Sequence, residues 1–220
     1  MLEIACFEIT SAETALRSVA DRIEICAEQQ LGGITPNIEE FRYLKSVYMK
    51  PIFVMLRPKG GSFLYSEDEF LQMKQSLIDF KKSGADGFVF GILNSGNTVD
   101  EARNRELVEL AGEIPCTFHR AIDRTPDLEA AIQKIIEIGF KSVLTSGGKS
   151  SAMEGKEQLK NLVEKYSNQI EILIGGGVRS NNISELKNYT NGTSFHSSAI
   201  PSYELFANED EIKKLKSRIS

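Results

Sequence analysis

The chain has 220 residues, of which 41% are hydrophobic and 26% are charged. This balance is typical of a globular protein and excludes a disordered chain or a collagen-like repeat. Acidic residues outnumber basic ones by 31 to 26 and no long basic run occurs, so we expect no nucleic-acid partner. No apolar stretch reaches the roughly 18 residues that span a bilayer, so we expect no membrane partner. The acidic N-terminus and three widely spaced cysteines predict a cytoplasmic protein.

Short β-rich apolar runs alternate with helical patterns along the whole chain. Strands are predicted over residues 2–6, 22–26, 52–56, 88–90, 116–119, 142–145, 170–174 and 194–197. Helices are predicted between the strands, and their starts are marked by the residues Thr10, Thr35, Ser66, Asp100, Thr125, Ser150 and Ser180. The tail from Asn208 carries apolar residues one turn apart and predicts a closing helix.

Eight strand–helix units imply a parallel sheet whose crossover connections are helices. Eight such units usually close into a barrel, for which about 200 residues is the short end. We therefore predict an α/β fold, a single-domain (β/α)8 TIM barrel over residues 1–220 with a short eighth unit. The alternative is a doubly wound open sheet. That fold places its Gly-rich turn after the first strand, whereas here the turn at 175–177 follows the seventh.

Alternate residues of each barrel strand face the barrel axis, so strand position predicts which side chains meet inside. Glu3 and Glu24 should face inward, although burying an unpaired carboxylate is costly. Arg57 should lie at the C-terminal rim, and His119 should face inward at the end of the fifth strand. Catalytic groups of barrel enzymes lie at this end, so the catalytic candidates are Glu24, His119, Arg57 and Asp123. The alternative is a buried salt-bridge network of Glu3, Glu24, Arg57 and His119 that only fills the barrel.

Glycine and serine residues directly follow the last three strands. Glycines at these turns let backbone N–H groups approach an anion, and the last two turns of a barrel often form a phosphate site. We therefore predict anion binding by Gly147, Gly175, Gly176, Gly177, Ser197 and Ser198. The alternative is that close packing of the backbone alone requires these glycines.

The sequence offers few soft metal ligands. Thiolates and thioethers suit Cu(I), and Cys26 and Met55 should face inward on adjacent strands, where they could share one ion. Cys6 should face the helices, and Cys116 opens its strand at the opposite end from His119. The alternative for Cys26 is a buried, inert thiol.

Several segments in this order resemble the CutC family of copper homeostasis proteins. They include residues 20–26, 32–36, 57–66, 117–123, 144–147 and 175–178, of which the stretches around Arg57 and His119 are the most specific. The resemblance implies a (β/α)8 barrel, a cytoplasmic location, homo-oligomers and a role in copper homeostasis with Cu(I) as the ligand. This chain departs from the family in having Ala5 where relatives often have a cysteine. It also has Lys59-Gly60-Gly61-Ser62 where relatives commonly have Arg-Gly-Gly-Asp.

Three functional hypotheses follow from these residues. The first is a copper homeostasis protein that binds Cu(I) through Cys26 with Met55 or Cys6. The second is an enzyme acting on a small phosphorylated metabolite, in which Arg57 neutralises substrate charge while Glu24 and His119 exchange protons. The third is a non-catalytic sensor that uses the same pocket. The expected partner is accordingly a small anionic metabolite or a copper ion.

Overall fold

A computed structural model of the chain describes residues 1–202 and 204–220. In this described part, eight parallel strands pair in chain order and close into a barrel, which confirms the predicted fold. The strands are β1 Leu2–Cys6, β2 Arg22–Ile25, β3 Ile52–Met55, β4 Gly87–Phe90, β5 Cys116–Phe118, β6 Ser142–Thr145, β7 Glu171–Ile174 and β8 Ser194–Ser197.

One helix follows each strand and packs outside the barrel. The helices are α1 Ile9–Arg17, α2 Ile38–Val47, α3 Glu67–Lys82, α4 Glu101–Ala111, α5 Leu128–Ile138, α6 Lys156–Tyr166, α7 Ile183–Thr190 and α8 Glu209–Ser217. Across the described residues, no helix combines the length and the apolar character needed to cross a membrane.

Three helix starts are as predicted and the others differ. Ser66 forms a capping box with Glu69, Asp100 caps α4, and Asn208 caps α8. The predicted starts at Thr35 and Thr125 are wrong because the caps are Asn37 and Asp127, whose side-chain oxygens accept the N–H groups of the first turns. Three other starts also differ: α1 follows Glu8 rather than Thr10, α6 begins at Lys156 rather than near Ser150, and α7 follows Asn182 rather than Ser180.

The strand alternation separates two apolar regions. The larger one lies between the barrel and the helices and includes Cys6 and Cys116. A small inner cluster consists of Cys26, Phe53, Met55 and Val89, with Phe7 packed against it. Gly87 makes room for this cluster, because a Cβ atom there would lie 2.5 Å from the ring of Phe53.

The pairing register places charged residues in two adjacent layers of the barrel interior. Glu3 of β1 lies beside Arg22 of β2 on one side and beside His196 of β8 on the other. Glu24 lies one step further towards the C-terminal end, beside Ala5. The register thus brings two carboxylates, a guanidinium and an imidazole together under the C-terminal mouth of the barrel.

Candidate functional site

A cavity of about 250 Å³, the inner cavity, opens at the C-terminal ends of the strands. Most of the predicted site residues line it: Glu24, Cys26, Met55, Arg57, His119, Gly176, Gly177, Ser197 and Ser198. They are joined there by Ala5, Phe7, Gly32, Phe63, Arg120, Leu144, Arg179 and His196. The strand alternation therefore brings the acid, the guanidinium and the imidazole of the sequence prediction into one cavity.

His196 connects the two carboxylates at the floor of the inner cavity. Its Nδ1 lies 2.7 Å from Oε1 of Glu3, and its Nε2 lies 3.6 Å from Oε2 of Glu24. Arg22 adds an ion pair of 2.5 Å to Glu3. The buried network of the barrel thus consists of Glu3, Arg22, Glu24 and His196. Arg57 and His119 have other partners and are not part of it.

The carboxyl group of Glu24 titrates near neutral pH. Burial, opposed by the charge of His196 and reinforced by that of Glu3, raises the pKa of Glu24 to about 7. Burial also disfavours the charged form of Glu3, but the hydrogen bond with His196 and the charge of Arg22 outweigh it and lower the pKa of Glu3. The two glutamates therefore differ in their ability to hold a proton at neutral pH, as acid/base residues require.

Glu3, Glu24 and His196 place their ligand atoms within 4.8 Å of one another, as a metal site would. The geometry favours a different use of these groups. Each ring nitrogen of His196 faces one glutamate and Arg22 already pairs with Glu3, so the charges of the cluster are balanced by its own side chains. The cluster is better described as a line of proton-sharing groups, Glu3–His196–Glu24.

His119 is a neutral imidazole beneath Phe63. Burial and then the charge of Arg57 lower the pKa of His119 to about 3. Its Nδ1 accepts the backbone N–H of Ala121 at 3.3 Å, so the ring proton resides on Nε2. Among the described residues Nε2 has no hydrogen-bond partner although it is buried. His119 therefore offers a hydrogen-bond donor to a ligand and is a poor proton acceptor at neutral pH.

Arg57 is fixed by backbone oxygens rather than by a carboxylate. It donates to the carbonyl groups of Leu31 and Gly33, both at 2.8 Å, and to that of Gly61 at 3.1 Å. Its guanidinium lies 4.8 Å from the ring centre of Phe63, and its buried Nε lacks a partner within the described part of the chain. The positive charge of Arg57 is thus held rigidly at the mouth.

Asp123 lies outside the inner cavity and organises the loop after β6. Its two oxygens accept from the hydroxyl groups of Thr145 and Ser146, from the N–H groups of Ser146 and Gly148, and from Arg120. The N–H of Gly147 is bound to the Thr145 hydroxyl. The anion that this loop holds is therefore the side chain of Asp123 itself, which leaves the loops after β7 and β8 for a ligand.

Arg179 joins these two loops. Its guanidinium donates to the hydroxyl groups of Ser197 at 3.2 Å and of Ser198 at 2.9 Å. Glu211 is close enough for its charge to act on Arg179, but its oxygens accept hydrogen bonds from the N–H and hydroxyl groups of Ser180. The hydroxyl of Ser197 donates to the carbonyl group of Val178, whereas the hydroxyl of Ser198 donates to no other described residue and can donate to a ligand.

The glycine turn after β7 completes this wall. Gly176 and Gly177 have φ angles of 102° and 75°, values that favour glycine. None of the hydrogen bonds between described residues uses their backbone N–H groups. A Cβ atom on Gly176 would lie 3.3 Å from the guanidinium of Arg120. The turn therefore offers N–H groups beside the guanidinium of Arg120, a combination that suits an anion.

Among the described residues that line the inner cavity, two side chains are soft metal ligands. Cys26 and Met55 line the inner cavity and pack in one cluster, while Cys6 faces the helices and Ala5 offers no sulfur. Burial and the nearby charge of Glu24 raise the pKa of Cys26 well above its usual value. Cu(I) prefers a thiolate, so the donor set fits this ion poorly.

Three site residues were missed from the sequence. Arg22 and His196 obey the same alternation that placed Glu24 inside, since each shares a strand face with residues that point inward. Arg179 follows the Gly-rich turn at 175–177 after a single valine. A cation at this position indicates an anion site in the turn. In all three cases the sequence pattern that identifies the residue was present.

The sequence model of the CutC family matches residues 1–201. The chain belongs to the CutC family. It is 39% identical over 90% of its length to the copper homeostasis protein cutC homolog of Caenorhabditis elegans, covering 80% of that protein. The identity to the Homo sapiens homolog of the same name is also 39%, over 90% of this chain and 73% of that protein.

A solved CutC structure agrees with this membership. The crystal structure of a CutC protein from Streptococcus agalactiae superposes with a TM-score of 0.84 and is 28% identical in sequence. The match covers 90% of this chain and 98% of the other. This chain therefore matches a CutC protein in structure and matches, in sequence, relatives that are named for copper homeostasis.

Proposed function

We propose that this CutC protein is an enzyme that acts on a small phosphorylated metabolite by acid/base chemistry at the C-terminal mouth of the barrel. One observation carries the proposal. A single cavity of about 250 Å³ holds two groups. The Arg179 guanidinium, which pairs with no carboxylate of the described residues, lies on one wall, and the Glu24 carboxyl group, with a pKa of about 7, lies on the floor.

The anionic end of the metabolite binds between the loops after β7 and β8. Arg179 supplies charge, the Ser198 hydroxyl supplies a donor, and the N–H groups of Gly176 and Gly177 supply backbone donors. Charge-assisted hydrogen bonds of this kind contribute about 1.5–3 kcal/mol each. The Ser197 hydroxyl has a supporting role because it holds Arg179 in place.

The reacting end of the metabolite lies against Glu24 and His119. A carboxyl group with a pKa near the ambient pH can both accept and donate a proton. Glu24 is therefore the general acid/base, and His196 and Glu3 position it. Neutral His119 donates from Nε2 to an oxygen on which negative charge develops, a role that requires an uncharged imidazole.

A thermal-shift screen of phosphorylated metabolites tests this function. We expect at least one compound to raise the melting temperature of the native protein and of Glu24→Gln, which keeps the shape of the cavity. The same compound should not raise that of Arg179→Gln. If no compound shifts the native protein, or if Arg179→Gln responds like the native protein, the proposal is wrong.

Copper handling is the second candidate function, and the observation that favours it is the pairing of Cys26 with Met55 in the inner cavity. The relatives that are named for copper homeostasis also favour this function. Cu(I) would have to displace the strongly held Cys26 proton. Titration with a Cu(I) competitor dye should show a site in the native protein and in Cys116→Ser, but not in Cys26→Ser. Equal stoichiometry in all three would exclude this site.

We further propose a cytoplasmic location and assembly into homo-oligomers. Cys6, Cys26 and Cys116 are buried free thiols, as a reducing compartment allows. The proposal of a homo-oligomer rests on the resemblance to the family. Light scattering coupled to size-exclusion chromatography would give the mass in solution, and a monomer at working concentration would contradict it.

A further inference from the structure

A second, larger cavity adjoins the inner cavity. This outer cavity has a volume of about 710 Å³ and shares Gly32, Arg57, Phe63 and Arg120 with the inner one. Its remaining walls are Gln30, Leu31, Gly61, Asp123, Arg124, Gly148, Lys149 and Ser150. A ligand held in the inner cavity can therefore extend into the outer cavity past Phe63.

The outer cavity is strongly basic although the chain as a whole carries a net charge of -5. Its charged lining residues are Arg57, Arg120, Arg124, Lys149 and Asp123. Asp123, the single acid in that set, already accepts hydrogen bonds from the β6 loop and from Arg120. The cations therefore face the space with little compensation, which favours an anion there.

Arg57 supplies an independent indication of a ligand. It is 4% exposed, three of its hydrogen bonds go to neutral carbonyl groups, and its Nε is unpartnered among the described residues. Burying a guanidinium without a counter-charge is costly unless a ligand supplies the charge. Because Arg57 lines both cavities, an anion in either of them can supply this charge.

We propose that the outer cavity binds a second anionic group of the same metabolite, so that the substrate carries two anions, a phosphate in the inner cavity and a phosphate or carboxylate in the outer one. This proposal rests on the proposed function. Arg57 and Arg120 lie between the two anions. Arg124 and Lys149 are exposed and line only the outer cavity, so they discriminate the doubly charged ligand from a singly charged one.

Calorimetric titration with two matched probes tests the second anion site. Sorbitol 6-phosphate and 6-phosphogluconate have the same linear skeleton, and the second carries a carboxylate in place of a hydroxymethyl group. We expect 6-phosphogluconate to bind the native protein about tenfold more tightly at low salt, the value of one charge-assisted contact. The double variant Arg124→Gln/Lys149→Gln should lose this advantage while its affinity for sorbitol 6-phosphate stays within about twofold.

A matched control separates local contacts from net charge. Lys82→Gln/Lys214→Gln removes the same charge from exposed positions on α3 and α8 and should leave both affinities unchanged. If both probes bind equally, or if the two double variants weaken 6-phosphogluconate equally, the second anion site is refuted and the proposed function stands. If neither probe binds the native protein although a compound of the thermal-shift screen does, the second anion site is refuted and the proposed function stands. If no compound of that screen binds either, both fail together.

Discussion

The carboxyl group of Glu24 should make the barrel less stable as the pH rises through neutrality. Burial raises the pKa of Glu24 from 4.5 to about 7 in the folded chain, whereas unfolding returns the group to water. The folded state therefore binds this proton more tightly than the unfolded state does. The resulting stabilisation is complete below the ordinary pKa and is lost as the pH rises through about 7.

The size of the effect follows from the shift. A rise from 4.5 to about 7, at about 1.4 kcal/mol per unit, corresponds to about 3 kcal/mol of free energy of unfolding. The shift of His196 has the same sign, because the hydrogen bond to Glu3 and the charge of Glu24 raise its pKa against the effect of burial. The lowered pKa of Glu3 acts in the opposite direction, but only below the ordinary value of a glutamate.

Urea unfolding of the native protein and of Glu24→Gln measures this effect. Glutamine keeps the shape of the side chain and cannot ionise. Between about pH 5 and about pH 8.5, the native protein should lose about 2–3 kcal/mol of unfolding free energy relative to the variant. The exposed Glu113→Gln should follow the native profile. Parallel profiles for the native protein and Glu24→Gln would refute the assignment of a neutral-pH proton to Glu24.

Three further predictions concern the neighbouring residues. The ring signals of His119 in NMR spectra should not titrate between about pH 8 and about pH 4.5, because its pKa is lowered to about 3, and a midpoint near 6.5 would contradict this. Gly87→Ala should lower the unfolding free energy by about 1–3 kcal/mol, because the new Cβ would lie 2.5 Å from the Phe53 ring. The loop variant Gly96→Ala is its control, and equal stabilities would be the contrary result. Asp123→Asn should speed amide hydrogen exchange in the loop after β6 and cost about 1–3 kcal/mol. Unchanged exchange would show that the carboxylate does not hold this loop.

The sequence predicts the barrel and the sidedness of its strands because both depend on short-range patterns. Apolar runs at regular intervals identify the strands, and the period of two decides which face points inward. That period places Glu24 and His119 in one cavity without knowledge of any contact. The same reasoning applies to His196, which was missed although Phe195 points outward beside it.

The partners of the site residues depend on how loops fold back, which local patterns do not specify. The carbonyl groups that hold Arg57 come from Leu31, Gly33 and Gly61, at sequence separations that no periodicity links to it. Asp123 reaches a loop more than twenty residues away. The low pKa of His119 depends likewise on burial by the folded loops around it.

The most direct test of the anion site is a crystal structure of the protein with a phosphorylated compound from the thermal-shift screen. We predict the phosphate in the inner cavity, within hydrogen-bond distance of the Arg179 guanidinium and the Ser198 hydroxyl, with the rest of the compound against Glu24 and His119. A phosphate bound elsewhere, with the inner cavity occupied only by solvent, would contradict the proposed function.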